Sequence, residues 1–449
     1  KAQDDTNPTP TPTNNTIHNT PGETENTSTP SETTGSTSTP MPTETETQTA
    51  TPRPTETNAP ATDTPTPKPT PTPTPTPTPK LEVTFSHEGG FYDNNFKLEL
   101  SAPSGFTIYY TLDGTDPRTS NTRQKYTGPI SITNSESKGL GPITQSLGNY
   151  GSSKRLTGTV VRAYANRTVI TTPVVTNTYF VANNLANKYN LPYVSISLRP
   201  ADFNSRTNPR GIYVWPSVSN DQFDTKRRII VFVEFYNEKG KKEDQLYAEM
   251  SLHGNGSMGA TMKSFRMYFK NDLDKDSEHF PNKLTYDLFN GRAKDNNGKP
   301  IDSFKRIILR NSGNDYNRSM LRDALFQRLS EPLYCDYMES QPVMVFINGE
   351  FWGMYNARER YDDKYFKAHY GIQEENLVLL EAPTPLKYDM DFTRPYEICE
   401  GVPGDEKPWE DLIRYCDTHN LANDAYYKVV TDQVDIYSLM DVYIVNMFF

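Results

Sequence analysis

The sequence predicts an α+β domain behind a small all-β sandwich, with a disordered Thr/Pro-rich stalk at the N-terminus. Residues 1–80 contain no Phe, Trp or Tyr and hold 18 of the 36 prolines. Residues 81–182 show short alternating runs separated by turn residues, which is typical of a β-sandwich. Residues 190–449 mix strand-length apolar runs with helical periodicity, as expected of an α+β domain.

The stalk lacks the apolar side chains that a folded core needs. Its only large aliphatic residues are Ile17 and Met41, so burial cannot offset the entropy of ordering the segment. Residues 64–79 are almost pure Thr-Pro repeat, which favours extended polyproline II. We therefore interpret residues 1–80 as a semi-rigid spacer.

Charge excludes some classes of partner. The formal net charge is −10, and the stalk contributes half of it with four Lys/Arg against nine Asp/Glu. The folded part is thus close to neutral for its size. It has no basic field for nucleic acid or an anionic membrane surface.

Cysteine usage and hydropathy point to an exported bacterial protein. Cys335, Cys399 and Cys416 are too few for a disulfide framework, although one pair could bridge. No apolar run is long enough to span a membrane. No signal peptide is visible and the chain begins at Lys1, so we expect that a leader was removed.

In the all-β region, runs at 96–100, 106–112, 159–165 and 174–181 predict strands. Three stretches there resemble the chitobiase/β-hexosaminidase C-terminal domain: Ile-Tyr-Tyr-Thr-Leu-Asp-Gly-Thr-Asp-Pro at 108–117, Tyr-Thr-Gly-Pro-Ile at 126–130 and Val-Arg-Ala-Tyr-Ala at 161–165. The resemblance implies an immunoglobulin-like accessory sandwich that acts as a spacer or contacts glycan. Tyr109, Tyr110 and Asp113 either touch sugar or pack the sandwich and shape its turn.

The first half of the α+β region predicts strands and one helix. Alternating runs indicate strands at 229–236, 245–253 and 263–270. Asn317 is the predicted N-cap of a helix in which leucines recur every fourth residue. These leucines are Leu321, Leu325 and Leu329.

The next elements are a hairpin and a short helix. Asn348-Gly349 separates runs at 343–347 and 351–355, and this dipeptide is the strongest short hairpin signal. A helix at 363–370 is predicted to end at Gly371, since glycine readily takes the left-handed conformation there. The Pro/Gly/Asp-rich stretch at 382–408 is interpreted as a surface insertion.

A glycine-rich loop carries the first chemical signal. Gly254, Asn255, Gly256 and Ser257 begin a G-x-G-x-x-G pattern, and a strand follows instead of the helix of a dinucleotide fold. Glycines between two strands let backbone N–H groups approach phosphate oxygens, as in a kinase. The alternative is an ordinary hairpin loop.

Lys263 separates those two interpretations. By strand parity it shares the apolar face with Phe265, Met267 and Phe269. A lysine that points at a core is costly unless it is paired or bound to phosphate. The alternative is that its ammonium escapes to solvent at the end of the strand.

Several motifs together resemble the spore-coat CotH kinase family and cover about 190–370 in the family's order. They are Leu-Pro-Tyr-Val-Ser-Ile at 191–196, Gly-Ile-Tyr-Val at 211–214, Leu-His-Gly-Asn-Gly-Ser at 252–257 with Lys-Ser-Phe-Arg at 263–266, Leu-Arg-Asn at 309–311 with Arg-Asp-Ala-Leu at 322–325, and Phe-Ile-Asn-Gly-Glu-Phe-Trp-Gly-Met-Tyr at 346–355 with Arg-Glu at 358–359. The family is an atypical protein kinase, so the resemblance implies a kinase-like α+β fold. It also implies ATP and Mg or another divalent metal as cofactors. His253 is a departure, because the family often has arginine there.

Carried over by position, the resemblance implies a nucleotide-binding set that includes the glycine-rich loop. Lys263 resembles the lysine that contacts phosphate, and Glu359 resembles the acidic residue near the nucleotide. Arg322 is a further nucleotide-binding candidate. Its alternative is a surface arginine on an amphipathic helix.

An acidic run raises the possibility of calcium. It fails the EF-hand pattern, because Ser277 stands at the glycine position and Lys283 at the position of the bidentate glutamate. We therefore predict a solvated acidic loop. The run consists of Asp272, Asp274, Asp276 and Glu278.

The last predicted element is an amphipathic helix that begins at Ile436 and reaches the final residues. In the family this helix resembles the one ahead of the catalytic aspartate and the metal ligands. We therefore expect those residues beyond Phe449, with the kinase-like domain incomplete at its C-terminus and the given chain inactive.

These observations favour a secreted or cell-surface CotH-like kinase that transfers the ATP γ-phosphoryl group to Ser or Thr of exported proteins. The alternative is a non-catalytic surface or wall-associated binding protein with a pseudokinase domain. Expected partners are an exported protein substrate and, through the sandwich, glycan or cell wall. A glycan-active enzyme is a third possibility, but no carboxylate pair can be placed across a glycosidic bond.

Overall fold

A computed structural model describes residues 81–134, 136, 143, 155–203, 211–213, 227–254, 256–381 and 396–448. All of them lie in one unit, Pro77–Phe449. The predicted disorder of residues 1–80 and most of the predicted insertion, at 382–395, lie outside the described residues.

The region up to residue 182 folds as β-strands, as predicted. One sheet has the order β2-β10-β8-β5-β6 with β9 beside β8, and two strand pairs, β1-β4 and β3-β7, accompany it. The expected strand at 96–100 is divided into β3 and β4. The bounds are β1 (Thr84–Phe85), β2 (Gly90–Tyr92), β3 (Phe96–Leu98), β4 (Leu100–Ser101), β5 (Thr107–Thr111), β6 (Gln124–Lys125), β7 (Ile130–Ile132), β8 (Thr159–Arg167), β9 (Ile170–Thr171) and β10 (Val175–Val181).

The following strands close into a barrel with the order β11-β12-β13-β14-β15-β17-β16. Neighbouring strands are antiparallel except at the closure, where β11 pairs in parallel with β16. The bounds are β11 (Tyr193–Ser197), β12 (Ile229–Tyr236), β13 (Lys242–His253), β14 (Ser264–Phe269), β15 (Arg306–Arg310), β16 (Ser340–Ile347) and β17 (Glu350–Arg358).

Strand alternation gives the barrel an apolar interior and two different outer faces. Side chains such as Val233, Met250 and Leu309 fill the interior. On the outside of β11, β12 and β16, Tyr193 and Phe346 pack with Phe180 of the all-β region. The outside of β13, β14, β15 and β17 instead carries polar and charged residues.

A buried carboxylate connects the all-β region to the barrel. Glu234 is fully buried and accepts hydrogen bonds from the Tyr236 hydroxyl at 2.6 Å and the Thr178 N–H at 3.2 Å. The Lys242 ammonium lies 3.0 Å from the same carboxylate. Because Thr178 belongs to β10, this network joins the two parts of the molecule.

Short helices connect and follow the barrel. They are α1 (Leu185–Tyr189), α2 (Pro200–Phe203), α3 (Arg322–Ser330), α4 (Asp363–Tyr370), α5 (Lys407–Thr418), α6 (Asp424–Thr431) and α7 (Ile436–Phe448). A strand pair, β18 (Leu379–Glu381) and β19 (Glu397–Glu400), lies between α4 and α5.

The predicted Asn317 cap of α3 is wrong. The helix begins only at Arg322, because Met320 has a positive φ of 59° that interrupts the backbone before it. Asp315 supplies the cap from a preceding turn, accepting the N–H groups of Leu321 and Arg322 at 3.1 Å each. The carboxylate thereby satisfies N–H groups that have no partner within the helix.

The predicted hairpin and the end of α4 are confirmed. Asn348 and Gly349 have φ of 50° and 80°, which is the geometry of a two-residue turn between β16 and β17. Gly371 has φ 72°, and its N–H donates to the Lys367 and Phe366 carbonyls. Both positions need the left-handed backbone that glycine or asparagine adopts most easily.

The predicted last helix is α7. Val445 is buried, whereas Tyr437, Tyr443 and Met447 are exposed by 68%, 64% and 78%. Asp441 accepts the Tyr334 N–H at 2.7 Å and connects α7 to the segment after α3. The predicted helix is therefore present, but most of its apolar side chains face away from the described core, so its apolar pattern does not mark a buried face there.

Candidate functional site

The glycine-rich loop joins β13 to β14, so a strand follows it as predicted. Gly256–Gly259 forms a short 3-10 turn. Gly254 has φ 110°, and a Cβ there would lie 2.3 Å from the Ser257 hydroxyl, so the tight turn requires glycine. Asn255 lies outside the described residues.

Lys263 is buried beneath this loop, on the apolar face that strand parity predicts. Its ammonium donates to the carbonyls of Met258 at 2.5 Å and Ala260 at 2.8 Å. It also lies 4.8 Å from the centre of the Tyr213 ring. Burial lowers the pKa of Lys263 to about 8. The lysine therefore fixes the loop to the barrel.

Aromatic side chains support the same loop from below. The Tyr355 hydroxyl donates to the Lys263 carbonyl at 2.7 Å and accepts from the Trp352 ring N–H at 2.8 Å. The Tyr213 hydroxyl donates to the Thr261 carbonyl at 2.8 Å. These contacts hold the base of the loop in one position.

Glu359 lies apart from the glycine-rich loop. It is 5% exposed, and its carboxylate bonds to the His369 ring at 2.8 Å and to the Glu339 N–H at 3.1 Å. Both partners lie outside the loop. The structure thus joins the end of β17 to α4 and β16 through this carboxylate.

Arg322 is the exposed first residue of α3. Its backbone N–H belongs to the Asp315 cap, and its side chain projects into solvent. Both interpretations of Arg322, as a nucleotide contact and as a surface arginine, therefore remain open.

A cleft of about 420 Å³ lies between α3 and the start of β16. Arg322 and Glu359 are not among its lining residues, but each adjoins one: Arg322 follows Leu321 in the chain, and the Glu359 carboxylate accepts the Glu339 N–H. Glu339 is 3% exposed and forms ion pairs with two cleft arginines. The lining residues are Arg292, Leu321, Ala324, Leu325, Arg328, Tyr337, Met338, Glu339 and Ser340.

The sequence-predicted residues therefore fall into two groups, the loop with Lys263 and the cleft with Arg322 and Glu359. Sequence reasoning missed a set of charged residues on the outer face of β14, β15 and β17. Asp323 of α3 accepts from Arg310 at 2.9 Å and from Arg358 at 2.6 Å. Strand parity places Arg266 outward as well, but only the strand order shows that these side chains meet.

The described residues contain no cluster of three metal-ligating side chains. Within the described ranges, no three carboxylate, imidazole or thiolate side chains converge on one point. Magnesium in phosphoryl-transfer sites is commonly held by one or two carboxylates together with waters and substrate phosphates. No step is assigned to a metal among these residues.

The predicted solvated acidic loop is wrong for two of its carboxylates. Arg118, from the all-β region, forms ion pairs at 2.8 Å with both Asp274 and Asp276. Asp276 is 2% exposed, also accepts the Val174 N–H at 3.1 Å, and has a pKa raised by burial. The acidic run is therefore part of the contact between the two parts of the chain.

The residues that the family resemblance suggests as sugar contacts pack and shape the all-β region in the structure. Asp113 accepts from the Thr115 N–H at 3.1 Å and from the Thr122 hydroxyl at 2.7 Å, which shapes the turn. Tyr109 stacks on Tyr164 at 5.9 Å, and the Tyr110 hydroxyl bonds to Gln124. Sugar contact by these residues stays a prediction.

The three cysteines form no disulfide, and no helix in the described part of the chain is a candidate membrane span. Cys335, Cys399 and Cys416 are all free thiols. Among the helices that the structure describes, none is long and apolar enough to cross a membrane.

Comparison with known families gives two matches. Residues 250–449 match the family model described as CotH kinase protein, and residues 87–140 match that described as chitobiase/beta-hexosaminidase C-terminal domain. The matches confirm both resemblances and their order along the chain. None of the curated proteins compared with the chain matches it.

Proposed function

We propose, from the match of residues 250–449 to the CotH kinase protein family model, that this protein is a secreted CotH-like protein kinase. The reaction is transfer of the ATP γ-phosphoryl group to Ser or Thr hydroxyls of exported proteins. The family match is the observation that carries this proposal. It implies ATP and a divalent metal as cofactors and a protein as substrate.

The glycine-rich loop supports a nucleotide site in this domain. It stands between two strands, and its backbone is held by Lys263, so its N–H groups can meet phosphate oxygens without rearrangement. In this proposal Gly254, Asn255, Gly256 and Ser257 form one wall of the site. Lys263 fixes the wall, and its phosphate contact stays a prediction.

We assign Arg322 and Glu359 to a second part of the proposed site. Each adjoins a residue that lines the cleft beside α3, and this cleft has apolar side chains as well as charged ones. Such a mixture suits a nucleotide, whose base is apolar and whose phosphates are charged. The Glu359 carboxylate bonds to the His369 ring and the Glu339 backbone, whereas the exposed side chain of Arg322 is available to contact a ligand.

The remaining parts of the proposal concern location. The Thr/Pro-rich composition of residues 1–80 supports a stalk that places the kinase outside the cell or at its surface. The chitobiase-like domain supports a contact with glycan or cell wall. The competing function is a non-catalytic binding protein with a pseudokinase domain.

Phosphoryl transfer to exported proteins tests the proposal. The full-length protein is incubated with ATP, magnesium or manganese, and exported proteins, and phosphoserine and phosphothreonine are measured by mass spectrometry. We expect ATP-dependent phosphorylation. Nucleotide binding without any transfer would instead identify the pseudokinase.

Lys263→Met provides the matched test of the loop. It keeps the aliphatic stem and removes the ammonium that holds the Met258 and Ala260 carbonyls. We expect transfer to fall tenfold or more, which corresponds to about 1.5–3 kcal/mol for one charge-assisted contact. Lys270→Met is the control, because Lys270 directly follows the same strand, but its side chain is 40% exposed and paired with Glu249. Equal activity of the two variants would remove Lys263 from the site.

A further inference from the structure

Four arginines converge on the outer face of β14, β15 and β17. Arg266 and Arg358 lie in one row across Ile308, so their backbones are about two strand spacings, or about 10 Å, apart. Arg310 is on the same face of β15, and Arg360 follows β17. We call Arg266, Arg310, Arg358 and Arg360 the arginine cluster.

The arginine cluster holds more positive charge than its partners neutralise. Asp323 is the carboxylate bound to both Arg310 and Arg358. Arg266 donates instead to uncharged acceptors, the His253 ring at 3.0 Å and the Tyr268 hydroxyl, and Glu381 is the carboxylate that attracts it. Arg360 donates to the Tyr268 hydroxyl at 3.2 Å, with the nearest carboxylate, Asp362, 3.7 Å away and already paired with Arg306.

The excess positive charge contributes to lowered pKa values at two neighbouring groups, His253 and Arg266. Burial, followed by the charges of all four cluster arginines, holds the pKa of His253 well below its usual range. Burial and then Arg360 lower the pKa of Arg266. His253 is thus an uncharged imidazole, and its Nδ1 accepts the hydrogen bond from Arg266.

A buried donor in the cluster lacks an acceptor. Arg358 is 8% exposed, and within the described part of the chain its Nε–H has no hydrogen-bond partner. On the same outer face, the fully buried Ser251 hydroxyl, which faces Arg266 across β13 and β14, also lacks one. Buried donors are normally satisfied, so an unpaired guanidinium N–H among surplus positive charge suits an oxyanion.

We propose that the arginine cluster binds the polyphosphate of the nucleotide, an assignment that rests on the proposed kinase function. Guanidinium groups bind phosphate oxygens in pairs, and several of them suit a ligand with several negative charges. The cluster adjoins the glycine-rich loop, because His253 directly precedes Gly254. Lys263 points into the barrel and holds the loop, so the arginines supply the charge that faces the phosphates.

Calorimetric titration of the full chain with pyrophosphate and with ATP tests this site, with and without magnesium. Arg266→Gln and Arg358→Gln keep hydrogen-bonding capacity and remove one charge each. We expect each to weaken pyrophosphate and ATP binding tenfold or more, and adenosine binding to stay unchanged. Arg167→Gln is the control, because Arg167 lies in the all-β region against Phe106.

The titrations and the transfer assay distinguish an error in the arginine-cluster proposal from an error in the proposed kinase function. Unchanged ATP affinity in both variants overturns the arginine cluster as the polyphosphate site, even if the protein transfers phosphate. Pyrophosphate binding that depends on the arginines, without any transfer, supports the cluster and refutes the kinase. If orthophosphate or a phosphoserine peptide binds as tightly as pyrophosphate, the polyphosphate assignment is wrong.

Folding is checked by thermal denaturation of each variant. If Arg358→Gln fails to fold because Asp323 loses a partner, Arg266→Gln decides alone, since Arg266 is hydrogen-bonded to the neutral side chains of His253 and Tyr268 and forms no ion pair as close as that of Arg358 with Asp323 among the described residues. Normal pyrophosphate affinity in a folded Arg266→Gln then overturns the proposal.

Discussion

At the scale of the residue, Lys263 is a buried charge whose hydrogen bonds hold the backbone of the glycine-rich loop. Its side chain is fully buried, and two loop carbonyls accept its protons. Carbonyl dipoles compensate only part of the lost hydration, so burial lowers the pKa to about 8. This lysine therefore costs stability at neutral pH while it fixes the glycine-rich loop.

That cost predicts a pH dependence of stability. The unfolded chain has the ordinary lysine pKa of 10.5, so between pH 8 and 10.5 it binds more protons than the folded protein. The free energy of unfolding should therefore rise with pH relative to Lys263→Met, by up to about 3 kcal/mol. The relative stabilisation is complete above pH 10.5 and is lost as the pH falls to 8.

The measurement is urea denaturation of both proteins from pH 7 to 10.5. Subtracting the two curves removes the titration of tyrosines and other lysines, which both proteins share. A difference that stays constant with pH would show that Lys263 titrates normally and that its ammonium reaches water.

At the scale of the element, the β16–β17 hairpin does more than reverse the chain. The Asn348 side chain accepts from the Leu198 N–H at 2.8 Å and donates to the Leu198 carbonyl at 2.9 Å. The Gly349 carbonyl accepts the Gly158 N–H at 2.6 Å. One turn thus touches both the barrel closure and the all-β region.

Gly349→Ala should destabilise the protein strongly. The new Cβ would lie 2.1 Å from the Gly158 carbonyl oxygen, and the φ of 80° adds strain. Gly371→Ala is a matched control, because φ is 72° but nothing lies within 4 Å of the new Cβ. We expect Gly349→Ala to cost at least about 2 kcal/mol more in denaturant unfolding. Equal costs would show that the turn does not contact the all-β region.

At the scale of the whole molecule, the contacts between the all-β region and the barrel include an ionic contact and a buried hydrogen-bond network. Arg118 is 14% exposed in its side chain and binds Asp274 and Asp276. Glu234 lies in the second contact, where β10 meets β12. A chitobiase-like domain that merely followed a flexible linker would need neither contact.

A double-mutant cycle on Arg118 and Asp276 tests this coupling. Arg118→Gln alone leaves two carboxylates without their cation, and we expect a loss of about 3 kcal/mol. Adding Asp276→Asn should recover part of it, with a coupling energy of about 1 kcal/mol or more in chemical denaturation. Strict additivity of the two substitutions would mean that the ion pair does not hold the two parts together.

The stalk gives a prediction that rests on composition alone. Residues 1–80 cannot bury apolar surface, so a broad-specificity protease should remove them quickly while residues 81–449 survive longer. Mass spectrometry over a time course identifies the fragments. Equal resistance along the chain would contradict the predicted disorder.

The sequence by itself determined those features that depend on residues close together in the chain. The Asn348-Gly349 turn, the end of α4 at Gly371 and the inward position of Lys263 all follow from local backbone preference or strand alternation. The Asn317 cap failed because Met320 interrupts the helix before its start.

Only the tertiary structure decided what depends on strand order and closure. Arg118 and Asp274 are more than 150 residues apart, and no local pattern indicates that they form an ion pair. The arginine cluster likewise exists only because β14, β15 and β17 are neighbours in the closed barrel, a strand order that does not follow the chain. Periodicity shows which face a side chain occupies, whereas its partner on that face is set by packing between distant segments.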